Sequence, residues 1–121
     1  MFLTRAKLET FTASRWRLLE ELVYLSASGY IFEIPKGFVC DLASVPRLLR
    51  FLYSVNGDHR ESAILHDFLY DREGLIDDES FTREQCDDLF YEAMINSGVS
   101  EWKAWSMWAG VRIGGWVAWN K

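Results

Sequence analysis

The sequence has no block of lysine or arginine. Its 13 Lys+Arg are scattered among 18 Asp+Glu, for a formal net charge of −5. A nucleic-acid surface needs a basic stripe, so this balance argues against that class of partner. Cysteine is scarce: Cys40 and Cys86 lie far apart and form no Cys-x-x-Cys pair. They read as buried free thiols, not as a zinc site or a disulfide framework. The segment Met1–Glu9 has no apolar run long enough for a signal peptide, which predicts no export by that route. Linkers, internal repeats and low-complexity tracts are also lacking. What is present is 50% apolar residues, 16% aromatics and 26% charged residues, a composition outside the disorder range. A chain of 121 residues predicts one domain, 1–121, able to bury its own core.

Local pattern predicts an α+β fold, with a small N-terminal antiparallel sheet (1–40) followed by about four helices (46–119). Strands are expected at Phe2–Phe11, Trp16–Leu25 and Tyr30–Ile34. The last alternates cleanly and stops at Pro35-Lys36-Gly37. Pro46 suits the first turn of a short helix, Arg47–Ser54. Asp58 with Glu61 predicts a capped helix running to about Glu73 and closed by Gly74. Thr82 with Gln85 repeats that box, and Gly98 ends the helix it opens. Ser100 caps a last helix reaching about Trp119.

Three segments carry polar groups in apolar surroundings. In Ala63-Ile-Leu-His66-Asp67-Phe-Leu-Tyr70 a His-Asp pair sits on an otherwise apolar helix, with Tyr70 one turn beyond His66. A buried carboxylate needs a cation, a metal or several donors. On the next helix Asp87 falls on the core-facing stripe with Phe90, Tyr91 and Met94. A hydrogen bond from His66 to Asp87 would fix the imidazole tautomer and stabilise its charged form. The structural alternative is an ion pair from Asp87 to Arg83 or Arg47. The turn-rich stretch Gly37–Arg47 offers Asp41 and Ser44 either as a wall of the same cleft or as helix caps. Asp41, Ser44, His66, Asp67 and Asp87 are expected to converge on one cleft. The tail has one aromatic stripe, Trp102, Trp105, Ala109, Arg112 or Ile113, Trp116 and Trp119. It is expected to face the core, with Trp105 and Trp116 buried and Arg112 turned inward to Asp41 or Asp67 or reaching solvent past Trp108; the alternative is an interfacial or partner-binding helix. Lys103 and Arg112 argue against a membrane span.

Gly37-Phe38-x-x-Asp41-Leu-Ala-Ser44-Val-Pro46, His66-Asp67-Phe-Leu-Tyr70, Asp87-x-x-Phe90 and Gly114-Gly115-Trp116 together resemble a family of short uncharacterised proteins of tailed bacteriophages and prophages. That resemblance implies a phage origin, a place in the host cytoplasm or virion, and the order sheet then helices. It supplies no activity. The pair His66-Asp67-x-x-Tyr70 and Asp87-x-x-Phe90 is also similar to the two catalytic helices of phospholipases A2. This similarity implies His66 as the base that activates water, Asp87 as the group orienting it and Tyr70 as support for Asp87. It also implies Asp67 as a ligand of a divalent metal, Ca2+ or Zn2+. The glycine-rich calcium loop of those enzymes has no counterpart here beyond Gly37. The resulting expectation is a small phage hydrolase acting on an envelope ester or another cell-envelope bond. Arg47 and Arg83 would support its pocket. The alternatives are a non-enzymatic phage structural or lysis-accessory protein and a host-directed small-ligand binder.

Overall fold

The structure is a computed structural model that describes residues 1–10, 15–41, 60–114 and 119. Its architecture is α+β, with small antiparallel sheets at the N-terminus followed by three helices among the described residues. The expected helix Arg47–Ser54 lies outside the described residues.

Strand alternation sets the sheet faces. In β4 (Ile31–Ile34) Phe32 and Ile34 are fully buried, whereas Ile31 and Glu33 face out. β4 pairs with β3 (Leu22–Leu25), setting Tyr24 opposite Phe32. A second sheet has the order β1-β2-β5, from β1 (Leu8–Thr10), β2 (Arg15–Leu18) and β5 (Val39–Asp41). The single strand expected over Trp16–Leu25 is therefore two strands in two sheets. Leu19–Glu21 breaks the run, and at this corner Leu18 bonds to Phe38 and Leu19 to Lys7. The strand expected at Phe2–Phe11 is likewise shorter: Phe2 makes only an isolated bridge to Tyr24. The turn-rich stretch expected from Gly37 begins with a strand, for the Asp41 backbone ends β5, paired with Arg15.

The helices start and stop where capping chemistry permits. α1 (Arg60–Asp71) is closed by Gly74, whose φ of +78° suits glycine. Asp58, its expected cap, lies outside the described residues. A short hairpin, β6 (Leu75–Ile76) and β7 (Glu79–Ser80), follows and has no counterpart in the sequence reading. α2 (Arg83–Asn96) opens with the full reciprocal Thr82–Gln85 capping box, and Gly98 follows its end at φ +92°. α3 spans Glu101–Gly114.

Two apolar clusters result. One joins the sheets to α1 and reaches Cys86 and Ala93 of α2. The other holds Phe90 and Met94 of α2 against Ala104, Met107 and Val111 of α3. α2 thus packs on both sides, and Asp87 lies at the seam between Cys86 of one cluster and Phe90 of the other.

The face that α3 turns inward corrects the expectation for the tail. The buried stripe is Ala104, Met107 and Val111, while Trp102 and Trp105 are exposed. These side chains are smaller than indole and pack against α2, and the indoles are left on the opposite face. Trp116 lies outside the described residues. Trp119 packs edge-on against Tyr70 at 5.1 Å.

Candidate active site

Helical spacing builds the site from the three helices. His66 and Tyr70 stand one turn apart on α1, and Arg83 and Asp87 stand one turn apart at the start of α2. Arg112 comes from the last turn of α3. All five meet at the Asp87 carboxylate, whose side chain is wholly excluded from solvent.

His66 Nε2 lies 2.8 Å from Asp87 Oδ1, and the Tyr70 hydroxyl donates to the same oxygen at 2.5 Å. Arg112 Nη1 donates to Oδ2 at 2.9 Å, and Arg83 Nη1 stands 3.8 Å from the same oxygen as a second cation. An ionised carboxylate only accepts, so Nε2 carries the hydrogen and the neutral ring has its lone pair on Nδ1. Among the described residues Nδ1 has no hydrogen-bond partner. The imidazole is held between the Tyr70 and Phe90 rings at centroid distances of 4.1 and 4.7 Å, and its side chain retains 14% exposure.

Electrostatics follow from this packing. Burial works against the Asp87 charge. The hydrogen bonds from His66 and Tyr70, attraction to His66 and the Arg112 hydrogen bond outweigh it, and the carboxyl is held below its usual range. Burial and the hydrogen bond to Asp87 push the Tyr70 hydroxyl far above its ordinary value. Neighbouring Cys86 is pushed up to about 12, first by burial and then by the Asp87 charge. It stays a thiol at neutral pH and is no nucleophile.

Arg112 pairs with Asp87, an acid that the expectation of Asp41 or Asp67 did not include. Its signal in sequence was one cation amid aromatic residues, which called for a buried acid without saying which. Arg83 does more than pair with Asp87. Its Nη1 and Nη2 donate at 3.1 Å to the carbonyls of Val111 and Arg112, two acceptors that the end of α3 leaves open.

Asp67, next to His66 on α1, is half-buried and has partners of its own. Of the five residues expected to converge on one cleft, His66 and Asp87 are in contact, and the Asp41 side chain and Ser44, like Arg47, lie outside the described residues. No group of three or more His, Cys, Asp or Glu side chains is gathered for a metal ion among the described residues. Asp87 already accepts three hydrogen bonds, from His66, Tyr70 and Arg112. An open cavity of about 260 Å3 near the N-terminus includes none of the five residues.

Residues 16–111 match the family model described as a protein of unknown function, DUF1353. The chain belongs to this family. No curated protein and no solved structure matches it. The DUF1353 match runs from β2 to the last turn of α3 and stops one residue before Arg112.

Proposed function

We propose that this DUF1353 protein is a small hydrolase in which His66 and Asp87 form a general-base dyad. The observation that carries this reading is the orientation of the imidazole. Asp87 takes Nε2–H, so the lone pair that can accept a proton is on Nδ1. In the reaction, Nδ1 removes a proton from water as its oxygen adds to an ester carbonyl carbon. The imidazolium so formed faces the Asp87 carboxylate. It then returns the proton to the leaving alkoxide as the carbon–oxygen bond breaks, giving acid and alcohol. Tyr70 and Arg112 keep Asp87 ionised and aimed. The donor set does not fit a resident metal, because Asp67 brings one carboxylate with no His, Cys or acidic cluster around it among the described residues.

A phage origin and an envelope bond as substrate are part of this proposal. They are supported by the motif resemblance, and the hydrolytic chemistry by the geometry. The test is the initial rate on a panel of phospholipid, acylglycerol and acyl-sugar esters. Turnover by the wild-type chain, reduced roughly 10²–10⁴-fold in His66→Ala, is expected for loss of a general base. Absence of turnover on every ester would contradict it.

One observation favours a second reading. Asp87 takes hydrogen bonds from α1 and α3 and an ion pair from Arg83 of α2, so the network also suits a purely structural clamp in a non-enzymatic protein.

A further inference from the structure

Arg83 stands where a cation is disfavoured. It is the first residue of α2, at the positive pole of that helix's dipole, and its side chain is only 21% exposed. What offsets this position lies on α3. Nη1 and Nη2 donate at 3.1 Å to the carbonyl oxygens of Val111 and Arg112, and Nη1 also reaches the Tyr70 hydroxyl at 3.5 Å. Its approach to Asp87 Oδ2 is longer, 3.8 Å against 2.9 Å for Arg112. The guanidinium is therefore held first by the α3 backbone and only second by the carboxylate.

These contacts close a ring. Arg83 grips the backbone of Arg112, the Arg112 side chain donates to Asp87, and Asp87 stands one turn from Arg83 on α2. The Arg112 side chain is 27% exposed, so water competes for it unless the backbone it starts from is fixed. As a charge alone, Arg83 would repel Arg112 from the oxygen they share. As a fork it does the opposite, because it holds two successive carbonyls of α3 from two nitrogens. An ammonium has one nitrogen and cannot reproduce that fork.

We propose that Arg83 is a positioning residue of the His66–Asp87 pair. Its fork fixes the last turn of α3, so that Arg112 stays on Asp87 Oδ2 and Oδ1 stays turned to His66. The positioning stands on the geometry of the three helices, whereas its consequence for hydrolysis rests on the dyad reading.

The experiment is 15N NMR of the arginine side chains in the full chain, reading hydrogen exchange at each Nη. Arg83→Lys keeps the charge and loses the fork. In it the Arg112 Nη–H protons should exchange about tenfold faster or more than in the wild-type chain, as for loss of a charged hydrogen bond. The circular dichroism should be unchanged, and kcat for the ester should fall roughly tenfold with KM held. If Arg83→Lys misfolds, Asp87→Asn carries the test. There Arg112 should exchange faster while Arg83, still forked on α3, stays slow. A folded Arg83→Lys with Arg112 exchange at the wild-type rate overturns the proposal, as does release of Arg83 together with Arg112 in Asp87→Asn. So does release of Arg112 with kcat unchanged. Absence of turnover by the wild-type chain would sink the hydrolase reading alone, and the exchange rates would still decide whether Arg83 positions Arg112.

Discussion

Tyr70 and His66, one turn apart on α1, donate to the same oxygen of Asp87 at 2.5 and 2.8 Å. The carboxylate thus has one oxygen committed to α1 and the other to Arg112 of α3. Removing the acceptor and removing a donor are consequently unequal. Asp87→Ala leaves Arg112 and Arg83 facing each other without a counter-charge and should cost about 3–5 kcal/mol. Tyr70→Phe removes one of several donors and should cost about 1–2 kcal/mol. Urea denaturation of the two variants checks the order.

Acid should reveal the same carboxylate. The folded-state pKa of Asp87 is depressed, so its contribution is complete above the unfolded value of about 3.9 and is lost as pH falls through the lower folded value. The urea midpoint of the wild-type chain should therefore drop steeply below about pH 4. Asp87→Asn, less stable at neutral pH, should show a shallower acid slope. Parallel slopes for the two proteins would contradict the assignment.

Gly74 closes α1 in a conformation and a space that other residues cannot share. Its φ is +78°, and a Cβ there would stand 1.9 Å from the carbonyl oxygen of Phe81. Phe81 N–H also donates to Gly74 O at 2.8 Å, so the hairpin β6–β7 folds back on this residue. Gly74→Ala should destabilise by about 2 kcal/mol or more, read as a lowered melting temperature.

Ser62 stands one turn before His66, fully buried, and its hydroxyl has no hydrogen-bond partner among the described residues. An unsatisfied buried hydroxyl costs about 1–3 kcal/mol. Ser62→Ala should therefore leave the melting temperature unchanged or raise it. A clear loss would mean that the hydroxyl is satisfied by a bound water or ligand.

Local chemistry was legible in the sequence. The Thr82–Gln85 box, the Gly98 stop and the alternation of Phe32 and Ile34 each depend on residues a few positions apart, and each stands in the structure. Helical spacing also placed His66 and Asp87 on facing stripes. Features that depend on distant partners were not legible. β5 exists because β2 offers it an edge, and Trp16–Leu25 divides because its halves join different sheets. On α3 the set Trp102, Trp105, Ile113 and the set Ala104, Met107, Val111 both satisfy a helical period. Size pointed to the indoles, but close packing against α2 selects the smaller set. The partner of Arg112 needed three helices to be in place before Asp87 became its nearest acid.

The dyad and the structural clamp separate in one paired measurement, the ester-hydrolysis rate and the melting temperature of His66→Ala on the same sample. His66 is one of several donors to Asp87 and keeps some exposure, so its removal should cost only about 1–2 kcal/mol of stability. The account predicts near-complete loss of hydrolysis with a melting temperature lowered by only about 4–8 °C. A folded His66→Ala variant that hydrolyses the ester at the wild-type rate would contradict the dyad and leave the cluster as a clamp.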